Sequence, residues 1–187
     1  MRVISGTAKG RQLTAPEAGG TRPLTDRARE GIFSAIGGWV EDAEVLDLYA
    51  GSGSFGIEAL SRGAARAVFV ENAWMALEAL RQNLTTVGFG GQAAIISQSV
   101  ADFLKRPQGR FHLFFLDPPW SLATSIAAEQ MLLAAGLGED GAEMVIHRRY
   151  PDQLPVLPPG WHEAGIYRYG DSVLYRVAAP SFQQTAE

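Results

Sequence analysis

Five short apolar runs, separated by four stretches with helical spacing, fill the middle of this chain and leave little choice of fold. The runs are Val45–Ala50, Ala67–Val70, Ala93–Ile96, Phe111–Leu116 and Met144–His147. Between them, residues near 55–62, 73–86, 99–105 and 122–135 gather apolar groups on one face, as Leu77, Leu80 and Leu84 do. Strands that are apolar throughout and alternate with helices form a parallel sheet covered on both sides. The expected fold is therefore α/β and Rossmann-like: a mainly parallel twisted sheet with helices on both faces. After Pro151, Trp161–Tyr169 and Ser172–Ala178 alternate in polarity around Gly170-Asp171, which predicts a closing antiparallel hairpin. At the other end, Arg2–Ser5 and Arg11–Thr14 read as two strands around Gly6-Thr7-Ala8-Lys9-Gly10, and Thr25 or Asp26 caps a helix running to Ile36. Three parts result: an N-terminal β-hairpin appendage and linker over residues 1–20, a main domain over 21–180 and a loose tail over 181–187.

At 187 residues and 47% apolar, the chain fits one domain with a sizeable core. No run approaches the ~18 apolar residues of a membrane span, and no signal-peptide pattern opens the sequence, so a soluble, cytoplasmic monomer is expected. There are no cysteines, and His112, His147 and His162 are too widely spaced to suggest a shared zinc site. No metal is expected; the chemistry falls to carboxylates, backbone, aromatics or an organic cofactor. The net charge of −4 hides an asymmetry, because residues 1–35 hold six basic side chains against three acidic ones, net +3, which leaves −7 for the rest. A basic N-terminal segment on an acidic body suits a local contact with a polyanion.

The first chemical signal is Val45-Leu46-Asp47-Leu48-Tyr49-Ala50-Gly51-Ser52-Gly53-Ser54-Phe55-Gly56, a buried strand entering a glycine-rich turn that opens a helix. Glycines admit a ligand close to the backbone, and the helix start offers free N–H groups. Glu71 ends the next strand, where a carboxylate can accept hydrogen bonds from ribose hydroxyls. A nucleotide-containing cofactor follows. Asp47 stands four residues before Gly51, and a carboxylate there would repel a pyrophosphate but suit the ammonium of a methionine moiety.

The second signal is Asp117-Pro118-Pro119-Trp120 at the end of the fourth strand, bordering the same crevice. Two prolines fix the backbone and remove two N–H donors, which leaves rigid carbonyls. An exocyclic purine amine is a weak nucleophile, because its lone pair is delocalised into the ring. Accepting its two N–H bonds with the Asp117 carboxylate and the Pro118 carbonyl would aim that lone pair and stabilise the positive charge developing on nitrogen. Trp120 would stack on the base, worth ~1–3 kcal/mol.

The glycine turn resembles motif I of Rossmann-type (class I) methyltransferases, and Asp-Pro-Pro-Trp resembles the [DN]-P-P-[YFW] signature of amino-methyltransferases. Arg2–Arg11, Thr21–Phe33 and Gly56–Ala64 are similar to the RsmD family, which methylates guanine N2 in 16S ribosomal RNA. That resemblance implies S-adenosyl-L-methionine as cofactor, held by Asp47, Tyr49, Ala50, Gly51, Ser52, Gly53, Gly56, Glu71 and Asn72, with Ser99 and Val100 flanking the adenine. It implies Asp117, Pro118, Pro119 and Trp120 as the catalytic set. Lys9, Arg11, Arg22, Thr25, Arg27 and Arg29 would serve 16S RNA in a small-subunit particle, where ribosomal proteins are further candidate contacts. Thr25 and Arg27 also stand near enough to motif I to reach the methionine carboxylate. The chain departs from the family pattern at Leu24, Ser99 and Trp120, and at His147-Arg148-Arg149, where relatives tend to carry an acid and an extra phosphate contact is the reading to test. Trp39 and Trp161 are read as core, and Trp74 either borders the adenine or packs its helix.

Three other readings are separable. A nicotinamide-dependent oxidoreductase would use the glycine turn and Glu71 but leaves Asp47 and Asp117–Trp120 unexplained. A non-catalytic RNA-binding factor would need only the basic segment. A DNA adenine-N6 methyltransferase shares both motifs but normally carries a larger recognition domain.

Overall fold

The structure, a computed structural model, describes residues 1–15 and 24–181. Its centre is one seven-stranded sheet built from β1 (Glu44–Leu48), β2 (Arg66–Glu71), β3 (Ala93–Ser97), β4 (Phe111–Leu116), β5 (Gly138–Arg149), β6 (His162–Tyr169) and β7 (Ser172–Ala178), in the order β3-β2-β1-β4-β5-β7-β6. The first five strands are parallel, and β7 enters antiparallel beside β5 with β6 as its hairpin partner. Five helices cover the sheet: α1 (Asp26–Ile36), α2 (Ser54–Ser61), α3 (Trp74–Val87), α4 (Val100–Lys105) and α5 (Thr124–Ala135).

The period of two along the strands divides the core. Val45, Phe69 and Phe115 face the layer of α1, α2 and α3, whereas Leu46, Leu48 and Phe114 face α4 and α5. On the first side Phe55 stacks on Phe115 at 4.6 Å between ring centroids, and Phe33 meets Phe115 at 5.4 Å. Because β1 lies between β2 and β4, the carboxyl ends of three neighbouring parallel strands open together on one edge. That edge is where a ligand of an open α/β sheet belongs.

Thr25 does cap α1, its hydroxyl accepting from the Ala28 N–H at 3.2 Å. A 3₁₀ turn over Gly37–Val40 follows α1. β5 is longer than its apolar run because polar residues occupy its first half. One of them, Glu143, is buried against Arg176 of β7, whose Nε donates to it at 2.7 Å. Trp161 packs against the α4–α5 side of the core as expected. Trp39 does not: it is 52% exposed, because the short 3₁₀ turn presents it outward at the amino edge of the sheet.

The N-terminal segment differs most from its expected form. The two expected strands reduce to one bridge, Arg2 with Gln12, closed by backbone bonds such as Val3 N–H to Arg11 O at 3.0 Å. The segment docks on the domain instead of standing apart from it. Val3, Ala8 and Leu13 are buried in the α1–α2–α3 core. The Glu58 carboxylate on α2 accepts the Ile4 and Ser5 N–H groups at 2.8 and 3.0 Å, and Ser61 accepts the Ala8 N–H at 3.0 Å. Asn83 on α3 accepts the Thr14 N–H and donates to the carbonyls of Thr14 and Ser52, which couples this segment to the glycine turn. The boundary at residue 20 and most of the 181–187 tail lie outside the described residues.

Glu58 has no exposure and bonds Arg62 as well as both amides, so Glu58→Ala strands two N–H donors and a half-buried cation. The expected loss is about 3 kcal/mol of unfolding free energy, read from urea denaturation.

Candidate active site

Asp47 occupies the fourth position of β1 and is 1% exposed. Its Oδ2 accepts the Gly56 N–H at 2.9 Å, while Oδ1 is buried with no partner. Burial pushes the Asp47 carboxyl well above the usual carboxylate range. The Gly56 hydrogen bond opposes this, and the nearby charges of Asp117 and Glu71 add to it. An unpartnered buried carboxylate oxygen at the strand end is a place for a cationic donor.

The turn that follows wraps tightly around this acid. Tyr49 adopts φ 62°, a left-handed conformation that costs a non-glycine residue about 1–3 kcal/mol. Its hydroxyl donates to Gln130 Oε1 on α5 at 2.5 Å, and burial raises the phenol pKa. Gly53 has φ 83°, and a Cβ there would stand 2.4 Å from Leu80. A Cβ on Gly56 would stand 2.3 Å from the Phe69 ring and 3.2 Å from Asp47 Oδ2, so only glycine lets the helix start approach the acid. Ala50 and Ser52 are buried behind the turn, and the Ala50 N–H bonds the Val70 carbonyl of β2 at 3.1 Å.

Glu71 ends β2 with three backbone contacts: Gly51 N–H at 2.9 Å, and Asn72 and Ala73 N–H at 2.7 Å. It braces the glycine turn and the two residues that lead into α3. Of about four acceptor positions on a carboxylate, one remains for a ligand hydroxyl. Asn72 is exposed beside it, and Trp74 is 73% exposed, so Trp74 has no part in packing α3. Ser99 caps α4, accepting the Asp102 N–H at 3.1 Å and donating to Asp102 Oδ2 at 2.7 Å. Val100 is buried in the core beneath it. Neither offers a free polar side chain to an adenine.

Asp117 follows β4 directly, its N–H held by the Leu48 carbonyl of β1 at 3.3 Å. Pro118 is buried and Pro119 exposed. The Pro119 carbonyl accepts the Leu122 N–H at 2.8 Å. Trp120 is partly exposed, with the Arg149 guanidinium 5.5 Å from its ring centroid. His147, at the end of β5, places Nδ1 2.7 Å from Asp117 Oδ1. That contact had no signal in the sequence beyond the place of His147 at a strand end.

Arg148 also turns inward, donating to Asp152 Oδ2 at 3.1 Å and to Leu122 O and Thr124 Oγ1 at 3.4 Å. It pins the loop after Trp120, so of His147-Arg148-Arg149 only Arg149 is exposed to meet a phosphate.

The expected RNA contacts divide. Lys9, Arg11 and Arg27 are exposed, and Arg22 lies outside the described residues. Arg27 and Thr25 line a cavity of about 250 Å³ shared with Tyr169 and Ser172. Ser172 pairs with Arg149 in the sheet, so the cavity adjoins the same carboxyl edge. Arg29 is a correction: it has no exposure and donates to Asp26 Oδ1 and Arg2 O at 2.7 Å, so it ties α1 to the N-terminal segment and cannot reach RNA. Among the described residues no cluster of three or more acids or histidines could hold a metal, and no helix is long and apolar enough to cross a membrane.

A parallel sheet with a glycine turn, a buried acid lacking a cationic partner and an Asp-Pro-Pro-Trp edge is the framework of a Rossmann-like S-adenosylmethionine-dependent methyltransferase. The chain belongs to the family described as conserved hypothetical protein 95, whose profile matches residues 1–178. It is 32% identical over 187 residues to ribosomal RNA small subunit methyltransferase D of Escherichia coli (strain K12), covering 100% of this chain and 91% of that protein. It is 42% identical over 164 residues to the protein of that name from Haemophilus influenzae Rd, covering 86% and 84%. The solved structure of a putative methyltransferase, yhhF, from Escherichia coli matches with TM-score 0.84 at 31% identity over 97% of this chain and 98% of that one.

A buried acid with a raised pKa disfavours the folded state wherever it must ionise. Stability of the free protein is therefore lost as pH rises from about 4 through the raised folded value of Asp47. Asp47→Asn keeps an acceptor for Gly56 and removes the charge. It should melt higher than the parent near neutral pH, by a margin that narrows toward about pH 4. Its S-adenosylmethionine Kd, measured by calorimetry, should rise at least about tenfold, equivalent to about 1.4 kcal/mol.

Proposed function

We propose that this protein transfers a methyl group from S-adenosylmethionine to the exocyclic N2 amine of one guanine in 16S ribosomal RNA of the small subunit. The observation that carries this reading is the pair of carboxylates at the ends of β1 and β4: Asp47 with an unsatisfied buried oxygen, and Asp117 at the head of two prolines. The small-subunit substrate is the one named for the Escherichia coli and Haemophilus influenzae relatives.

The cofactor supplies an electrophilic methyl group when bound. Asp47 Oδ1 would take the ammonium of its methionine portion, and Glu71 a ribose hydroxyl. Gly51, where a Cβ would meet open space, keeps the backbone clear of both. Asp117 Oδ2 and the Pro118 carbonyl accept the two N–H bonds of the guanine amine, which turns its lone pair toward the methyl group. Trp120 stacks on the base, which must leave its own stack to enter the crevice, and a single-stranded loop makes that inexpensive. After transfer the amine carries an extra proton, and the Asp117 carboxylate is the adjacent acceptor.

Selection of the nucleotide rests on RNA shape and on phosphates met by the exposed Lys9, Arg11, Arg27 and Arg149. A partly or fully assembled particle is the expected substrate, and the cytoplasm is the expected compartment.

Asp117→Ala should lower kcat by orders of magnitude while cofactor Kd stays near the parent value, since it removes an interaction made in the transition state. In cells lacking the protein, mass spectrometry of ribosomal RNA nucleosides should show loss of N2-methylguanosine, restored by the parent chain and not by Asp117→Ala. Loss of N6-methyladenosine in its place would overturn the substrate. Neutralising Lys9 and Arg11 should lower RNA affinity and flatten its dependence on salt by about one unit of log–log slope for each phosphate contact removed, with cofactor binding intact.

A further inference from the structure

We propose that His147 is a positioning residue for methyl transfer, a reading that rests on Asp117 as the acceptor of the amine. β4 and β5 run parallel with Leu116 opposite Ile146, so the next residues along, Asp117 and His147, stand side by side past the end of the ladder. His147 Nδ1 lies 2.7 Å from Asp117 Oδ1. Among the described residues this is the one hydrogen bond made by the Asp117 carboxylate.

Three features separate this contact from ordinary packing. His147 is 2% exposed, and its Nε2 is buried with no partner. A buried unsatisfied nitrogen carries a desolvation cost that an aliphatic side chain in the same place would avoid. The imidazole's whole polar return is the bond to Asp117. Second, the acceptor is a carboxylate, so Nδ1 is the nitrogen that carries the donated hydrogen. Third, Trp120 lies 6.3 Å from the imidazole with its ring tilted 72°, so His147 packs against the stacking residue as well as the acceptor.

The consequence concerns rotation. The Asp117 side chain is 33% exposed and turns about two bonds, so without a tether its two oxygens exchange positions in the crevice. Fixing Oδ1 on His147 directs Oδ2 toward the amine and holds the distance to the Pro118 carbonyl constant. Misplacement of a reacting group by about 1 Å can cost about 100-fold in rate.

Three variants, His147→Leu, His147→Asn and His147→Gln, are compared with Asp117→Ala in single-turnover methylation of small-subunit particles. The Asn amide nitrogen overlays Nδ1, whereas the Gln amide nitrogen overlays Nε2. His147→Leu should lose about 10- to 100-fold in kcat, with KM and cofactor Kd unchanged. His147→Asn should recover most of that loss and His147→Gln should not. Equal rates for Asn and Gln, or a normal kcat for Leu, overturn the proposal while an inactive Asp117→Ala leaves the role of Asp117 standing. An active Asp117→Ala removes both. If His147→Leu fails to fold, the comparison of Asn with Gln decides alone.

Discussion

Three carboxylates, Asp47, Glu71 and Asp117, end three neighbouring strands, and holding them together is the constraint around which the molecule is arranged. Like charges at one sheet edge repel, and the acid between the other two is also the most deeply buried. Each has a different answer. Glu71 spends its oxygens on backbone N–H groups, which stiffens the glycine turn. Asp117 leans on a histidine. Asp47 has half an answer, one amide on one oxygen, and the remainder is left for a cation. The edge is thus unstable by itself in a way that a zwitterionic ligand corrects, which is how a stability deficit becomes binding energy.

Much of this was legible in the sequence. Fully apolar strands report burial on both faces, so the parallel sheet follows from Val45–Ala50 and Phe111–Leu116 alone. The motif residues likewise fall where strand ends must gather. What escaped depends on information that a linear pattern lacks. The first half of β5 is hidden because Glu143 reads as a surface residue unless Arg176 is known to lie beside it. An arginine in a basic segment such as Arg29 looks solvated, whereas its three-residue spacing to Asp26 and the carbonyl of Arg2 draw it inside. Trp39 shows the reverse error, an aromatic assumed to be core that a short 3₁₀ turn presents to solvent.

His147 illustrates a finer limit. Its strand position was visible, yet which neighbour it meets is set by the register between β4 and β5, and that register shifts between Phe111 and Leu113. A one-residue slip would carry the imidazole to the other face. Pairings between strands 30 residues apart are written in the packing, and no local periodicity encodes them.

The docking of residues 1–15 has a temporal side. Their amide partners, Glu58, Ser61 and Asn83, lie 53 to 69 residues further along the chain. A ribosome extends a chain at about 5–20 residues per second, so this segment waits several seconds before its anchors exist. During that interval Val3, Ala8 and Leu13 have no core to enter. The segment therefore joins the fold only after α3 has been made.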